Sequence, residues 1–399
     1  MAINDMTIEQ SSAVLNAIVL QATGQNPTLD TTNPKNFVTV AQTLLKTGYD
    51  PIISAISQVL TRTIFSIRAY SRRFGGLEVS AQRWGNHVRK VASIDSAFED
   101  DERLSLVDGQ SVDHYKVNKP KAIQTNFYGE HTYQRHVTIF KDQLDTAFKS
   151  PTEFASFISM VMQNIYDQIE QANEEFDRAT IANFIVGKYA ETLDVIHLVT
   201  EYNDYLGLTG DDRYDSTTIR TPSVYNDFIK WVYARLKNLT DLMAERSVKY
   251  HMLPKDGEGN NLALMRHTPA NRLKMYIYSP VMNEITARVL SDIYHDDKLK
   301  MADHERVTYW QNIDEPDSIK ADANVFNPAT GGITTTGART INNLFGVLFD
   351  EEAIGVTNVN EWSQSTPLNA AGGYTNIYWH WTRRHWNDFT ENGLVLVLD

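Results

Sequence analysis

The chain reads as an α+β protein. Helices and strands follow one another without a regular βαβ period, and one amphipathic helix is much longer than a compact domain needs. That helix covers Ser150 to Gly187. Ser150 stands at the N-cap, Pro151 at the first helical position and Glu153 three residues after the serine, the spacing of a capping box. Gly187 follows the last periodic residue, where a left-handed C′ residue is expected. Phe154, Phe157, Ile158, Val161, Ile165, Ile169, Ala172, Phe176, Ala179 and Phe184 recur at steps of three and four, forming one narrow stripe. At about 1.5 Å per residue the rod is roughly 50 Å long. Such a rod needs an equally long backing, either a sheet or a partner helix.

Before it, residues 1–66 hold three short helical patterns, Thr7–Ala22, Asn36–Lys46 and Pro51–Thr63, the last with Asp50 as N-cap. Turn formers separate the first two. Three small amphipathic helices on flexible joints make either an arm that lies on another surface or a small helical subdomain. Residues 67–140 change character. Tyr70–Val79, His87–Ile94, Ser111–Val117 and Thr132–Phe140 alternate like strands. Arg62, Arg68, Arg72, Arg73, Arg83, Arg89 and Lys90 make this stretch basic, and Glu99, Asp100, Asp101 and Glu102 form an acidic run. A two-stranded ribbon cannot bury its own faces. It either lies on a neighbour or stays a solvated charged hairpin. The basic cluster suits phosphate or the acidic run of another copy.

After the long helix, Glu191–Ser216 looks irregular. Thr221–Tyr250 is a second helix, capped by Thr221 and opened by Pro222, with Phe228, Trp231, Val232, Leu236 and Leu239 in its stripe. Arg272–Ser279 alternates as a strand with Leu273, Met275 and Ile277 on one face, and a helix follows to Tyr294. Val307–Ile313 is a strand candidate and Asp322–Arg339 a loop rich in Gly and Thr. Leu344–Phe349 is a short, fully apolar strand. Two aromatic-rich strands close the chain, Tyr374–Trp386 and Leu394–Leu398, with Glu391-Asn392-Gly393 between them.

Composition narrows the function. The 399 residues carry 50 acidic and 37 basic side chains, a formal net charge of -13. That balance argues against a protein that wraps nucleic acid or grips an anionic membrane. The absence of cysteine removes disulfides and thiolate metal sites, and fits a reducing compartment. Asp5 and Glu9 in the first ten residues do not suit a secretory signal, and no apolar run approaches a membrane span, so a soluble protein is expected. Phosphate-loop, dinucleotide, nucleophile-elbow and zincin spacings are missing. Asp211, Asp212 and Asp215 lack the rest of a calcium loop. His295, Asp296 and Asp297 suit either a hard metal or a solvated helix end. His131 and His136, five apart in a strand, face opposite sides. His380 and His385 among Trp379, Trp381 and Trp386 suggest either an aromatic cage or a packed sheet face. No cofactor is expected.

The order of parts is arm, charged ribbon, long helix, mixed domain and returning strands. Together with LFGVLFDEEAIGV at 344–356, it resembles the HK-ninety-seven-like major capsid protein of tailed bacteriophages. Residues 141–189 and YTNIYWHWTRRHW at 374–386 are most similar to short-tailed phages of the phi-twenty-nine-like type. The resemblance implies an N-terminal arm at 1–66 and an extended loop at 67–140 that reaches over the adjacent subunit. It implies a peripheral domain at 141–190 and 357–399 with the spine helix, and an axial domain at 191–356. It implies pentamers and hexamers of many copies in an icosahedral or prolate shell around double-stranded DNA that is held without sequence-specific binding. A separate scaffolding protein and a portal or connector protein are implied partners. The implied location is the virion, with assembly in the host cytoplasm and no membrane. Arg72, Arg73, Arg83, Arg89, Lys90, Glu99, Asp100, Asp101 and Glu102 are then the expected inter-subunit contacts. Asp167, Glu170, Glu174, Glu175 and Asp177 form an acidic face of the spine helix toward the interior. The competing readings are an encapsulin-like nanocompartment shell and an enzyme whose carboxylates include Asp296, Asp297, Asp350 and Glu351.

Overall fold

The computed structural model describes residues 8–24, 39–42, 44, 50–55, 73–79, 88–94, 100–113, 115, 117, 119, 121–190, 194–256, 258–292, 304–327 and 332–399. The organising element is the long helix, Pro151–Ala190, labelled α3 below because Ile8–Thr23 (α1) and Lys141–Ala147 (α2) precede it. Its 40 residues make it roughly 60 Å long at about 1.5 Å per residue. Half of the expected capping box is present: the Glu153 amide donates to Ser150 Oγ at 3.1 Å. The C-terminal expectation fails. The helix runs through Gly187 and ends three residues later. Gly187 is there because the Phe389 ring lies against the backbone, within 2.4 Å of where a Cβ would stand.

Two sheets back the rod. The first is antiparallel, in the order β12–β13–β3, where β3 is Glu130–Phe140, β12 is Ile354–Ser365 and β13 is Tyr374–Asn387. Strand alternation turns Ile377, Trp379 and Trp381 of β13 toward the N-terminal half of α3, where Phe154, Phe157, Ile158, Val161 and Ile165 meet them. α1 adds Val14, Leu15, Ile18 and Val19 to the same core, and the helical residues 50–55 add Ile52, Ile53 and Ala55. The arm's described helices therefore lie on their own chain. Their apolar stripes are matched by the spine helix and the tail strand.

The second sheet is mixed, in the order β4–β14–β11–β5–β6. These strands are Val195–His197, Gly393–Val397, Leu344–Asp350, Leu273–Tyr278 and Glu305–Val307. The outer strands pair in parallel and the inner three antiparallel. β11 is central and every one of its residues is buried, which explains its unbroken apolar run. One face packs Tyr276, Val347, Phe349 and Val395 on Ile181, Phe184 and Ile185 of α3. The other face packs Met275, Ile277, Leu348 and Leu396 on three helices, Leu198–Leu206 (α4), Pro222–Ala244 (α5) and Ser279–Asp292 (α6). The spine helix is thus long because it serves two sheets in succession.

Several local expectations are corrected. Residues 191–216 are not irregular throughout, since they contain β4 and α4. α5 ends at Ala244, and Thr221 sits at its N-cap position without capping it, since its hydroxyl donates to Thr218 O instead. The Gly- and Thr-rich loop is a hairpin, Asn324–Asn327 (β8) with Gly332–Thr335 (β9), beside the pair Ile319–Ala321 (β7) and Arg339–Ile341 (β10). The alternation at 307–313 gives a strand only at its first residue. Residues 73–77 form a turn and a short 3-10 helix rather than a strand.

Candidate functional site: the ribbon, its root and the spine helix

The ribbon consists of Val88–Ser93 (β1) and Ala122–Phe127 (β2), antiparallel from Val88 opposite Phe127 to Ser93 opposite Ala122. The Ser111–Val117 alternation forms no strand among the described residues. β3, which also read as ribbon, pairs instead with β13. Beyond β1 the chain presents large apolar side chains to solvent. Leu104 and Tyr115 are each 90% exposed, Val117 75% and Val107 64%. Asp100, Asp101 and Glu102 are exposed beside them, and Asp101 binds Arg103 at 3.0 Å.

The root is clamped by charge. Lys90 Nζ lies 2.5 Å from Glu391, 3.0 Å from Asp388 and 3.3 Å from Glu352. Burial works against the Lys90 charge, but Asp388 and Glu391 outweigh it and hold the ammonium above its ordinary pKa. Burial pushes the Glu391 carboxyl up despite Lys90 and Arg266. Burial also opposes the Glu352 charge, but Arg272 and Lys90 draw its pKa below the usual carboxylate value. Arg266 reaches Glu391 at 2.9 Å, and Arg272 takes Glu351 at 2.7 Å and Glu352 as well. The carboxylates come from the turns after β11 and β13, so they fasten the ribbon to both sheets. The expectation that Lys90 meets a neighbour is corrected here, because its partners are in its own chain. Arg89, next to it, points the other way and is exposed. Arg73 is exposed, and its backbone amide donates to Glu174 at 3.4 Å. Arg72, Arg83 and Glu99 lie outside the described residues.

The acidic face of the spine helix is also revised. Glu174 is 4% exposed and Asp177 is 1% exposed. Glu174 holds Arg178 through Nε at 3.0 Å and Nη2 at 2.5 Å. Arg178 donates to Tyr309 O and Trp310 O and stacks over Tyr309 at 3.8 Å and Phe74 at 4.9 Å. Asp177 stands within electrostatic reach of Tyr133, as does the buried Arg383 of β13. Glu174 therefore faces the protein's own Arg178, and Asp177 is buried within the subunit. Glu175 is exposed, and Asp167 and Glu170 are half-buried. The neighbouring Arg384 is fully buried and binds Glu130.

Two of the carboxylates that suggested an enzyme, Asp350 and Glu351, have structural duties. Asp350 is buried, accepts from Thr268 Oγ1 at 2.8 Å and from the Glu352 amide at 2.9 Å, and so shapes the turn after β11. Glu351 pairs with Arg272. Asp296 and Asp297 lie outside the described residues. Among the described residues no group of three His, Asp or Glu is placed to hold a metal ion, and no helix is long and apolar enough to cross a membrane. The histidines and tryptophans of β13 form no cage. Trp379 and Trp381 enter the core, and His380 stacks on Trp362 at 4.0 Å on the opposite face. His136 stacks on Tyr378, and His131 meets Tyr133 at a tilt, on opposite sides of β3.

The burial of Glu174 had a weak signal in the sequence, and the clamp at Lys90 had none. Glu174 and Arg178 are spaced i, i+4, the spacing of a helical ion pair. Nothing near Lys90 announced Glu352, Asp388 and Glu391, which lie more than 250 positions away.

A comparison with curated protein sequences finds no match. Two solved structures share the fold. The capsid structure of Staphylococcus phage Andhra aligns over 84% of this chain and 87% of its own, with 11% identity and a TM-score of 0.53. The structure of head fiber and inner core protein gp22 of native bacteriophage P68 aligns over 84% and 87%, with 10% identity and a TM-score of 0.54. The architecture is of the HK-ninety-seven type. The family described as Phi29-like phage major capsid protein matches residues 15–396, nearly the whole chain. The chain belongs to that family: it is a major capsid protein, and many copies of it build the head shell of a tailed phage.

Proposed function

We propose that copies of this chain join through the ribbon into pentamers and hexamers, which close around a portal on a separate scaffolding protein in the host cytoplasm. The shell then encloses double-stranded DNA without reading its sequence. In this reading residues 1–66 are an arm held on the subunit's own spine. Residues 67–140 supply the loop that crosses to a neighbour, residues 141–190 and 357–399 the peripheral domain, and residues 191–356 the axial domain. Of the basic residues expected at the subunit contact, Arg73 and Arg89 are exposed among the described residues. The net charge of -13 keeps the wall from binding the packaged polyanion through counterion release.

One observation carries this reading: a ribbon fastened at its root exposes Leu104, Val107, Tyr115 and Val117 at its far end. Such side chains expose an apolar patch that a neighbour's surface covers. The test replaces residues 100–117 with a short Gly-Ser turn. The expected product is a folded, monodisperse monomer by circular dichroism and ultracentrifugation that gives no heads by electron microscopy when expressed with the other head proteins. Normal heads from that variant would refute the role of the ribbon.

A further inference from the structure

The sheet β12–β13–β3 is covered on one face and open to solvent on the other. The spine helix and the arm lie against Ile377, Trp379 and Trp381. Strand alternation turns the residues between these to the opposite face. That face is built from alternate residues 132–140 of β3, 374–382 of β13 and 360–364 of β12, which the register sets side by side. These five, five and three positions hold six rings, four amides and three threonines, with no charged and no aliphatic side chain among them. Charged residues make up 22% of the chain, so a solvent-facing patch of this size ordinarily carries about three.

The rings are braced. Trp362 of the edge strand β12 is 44% exposed and stacks on His380 at 4.0 Å with an interplanar angle of 13°. On the other edge strand, the exposed His136 stacks on Tyr378 at 5.3 Å, and Phe140, 46% exposed, meets Tyr374 edge-on at 6.0 Å. Each exposed ring of an edge strand therefore leans on a ring of the central strand, which fixes it before any ligand arrives. Gln134, Asn360 and Gln364, on the same face, are exposed as well. Trp362 lies opposite His380 and Phe140 opposite Tyr374, so the two outer rings stand roughly 20 Å apart along the strands, at about 3.3 Å per residue.

We propose that this face binds a neutral polysaccharide, with sugar rings stacked on Trp362 and Phe140 and hydroxyls bonded to Gln134, Asn360 and Gln364. A pyranose has an apolar C–H face and a rim of hydroxyls. Aromatic rings take the first, and amides, which both donate and accept, take the second. The lack of charge fits the same ligand. A neutral polyol laid over a carboxylate or an ammonium strips water from it and returns no opposite charge. A polyanion fits badly, because the face has no cation with which to release counterions. The lack of aliphatic side chains separates the face from the core of a protein–protein contact, which is more apolar. The inference rests on the shell reading above: with the spine helix toward the interior, this face is the outer one, and many copies of a weak site hold a head by avidity.

Two measurements test this. The first is electrophoresis of the isolated full chain through native gels containing dextran, laminarin or mannan, with chondroitin sulfate as the charged control. At least one neutral glycan should slow the chain, and chondroitin sulfate should not. Trp362→Ala with Phe140→Ala should weaken the affinity at least tenfold with unchanged circular dichroism. Gln134→Glu, which keeps the rings and adds a charge, should weaken it as well. The second is retention of purified heads on beads carrying the same glycan, which the double substitution should abolish while head yield stays normal. No retardation by any of the neutral glycans, equal retardation by chondroitin sulfate, binding that survives the double substitution, or heads that pass the beads unretained would each overturn the proposal and leave the shell reading standing. A double variant that folds but builds no heads would also overturn it, because the face would then belong to a neighbouring copy. If the unsubstituted chain forms no heads with its full set of head proteins, the shell reading fails, and the gel still decides whether the face binds a glycan.

Discussion

Gly187→Ala separates two effects of opposite sign, and the structure decides between them. Glycine inside a helix costs about 0.5–1 kcal/mol relative to alanine, so helix propensity alone makes the substitution stabilising. The position is not open, however. A Cβ on residue 187 would stand 2.4 Å from Phe389 Cε1, 2.5 Å from Cζ and 3.2 Å from a Val325 methyl. For the methyl to fit, the ring must move by about an ångström. Phe389 is 4% exposed and stacked on Phe184 at 5.5 Å with an interplanar angle of 8°. Phe184 cannot yield either, because it packs over Gly393, where a Cβ would lie 2.6 Å from its ring. Overpacking a rigid core of this kind costs about 1–3 kcal/mol. With the propensity gain subtracted, Gly187→Ala should destabilise the chain by up to about 2.5 kcal/mol. The assay is urea unfolding of the isolated, unassembled subunit followed by tryptophan fluorescence. Phe389→Leu should make the same Gly187→Ala change neutral or stabilising, since the obstructing ring edge is gone. A rise in stability for Gly187→Ala in the otherwise unaltered chain would refute the argument, because only a yielding ring allows it.

Two further outcomes follow from buried charge. Lys188, 1% exposed, meets Asp194 at 2.7 Å and the Tyr250 carbonyl at 3.0 Å where the spine helix ends. Lys188→Met strands the Asp194 carboxylate and should cost about 3–5 kcal/mol in urea unfolding, whereas adding Asp194→Leu should return most of that loss. His385 gives a pH dependence. Burial first, then His131 and Arg383, hold its pKa below the ordinary 6.5. A folded-state pKa below the unfolded one means the native state resists protonation, so this contribution is complete above pH 6.5 and is lost as pH falls below it. Melting temperature scanned from pH 8 to pH 5 should drop on the acid side, and His385→Gln should flatten the drop. An unchanged profile in that variant would assign the acid loss elsewhere.

What the sequence disclosed follows from the range of each interaction. The spine helix, α5, β5, β11, β13 and β14 were legible because their signals are local: an N-cap, an apolar period, an unbroken buried run. β12 was not. Beyond Val356 it reads TNVNEWSQS, with Trp362 exposed at 44%, because it is an edge strand that needs only one partner. Its strand character comes from pairing with β13, not from its own composition. Gly187 misled for a related reason. The glycine rule for helix ends is a backbone rule, and here the glycine answers to a side chain about two hundred positions away.

The acidic residues of the spine helix carry the same lesson into function. A run such as Asp167 to Asp177 reads as one solvated face, and a face toward the shell interior follows if all five acids are free. Two are not. Glu174 is bound to Arg178, and Asp177 is 1% exposed. Their charge is spent inside the subunit, where Glu174, through Arg178, joins the spine helix to residues 309–310. Of the five, Glu175 alone is exposed and Asp167 and Glu170 are half-buried, so in the proposed reading any repulsion of DNA rests more on the net charge of the whole chain than on this helix. The ribbon has the opposite arrangement. Lys90 is consumed at the root by three carboxylates, which leaves Arg89 beside it as the charge turned outward. Holding one member of an adjacent basic pair and presenting the other gives a two-stranded ribbon a fixed root and a directed surface, which a subunit needs if its contacts are to repeat without variation around a shell.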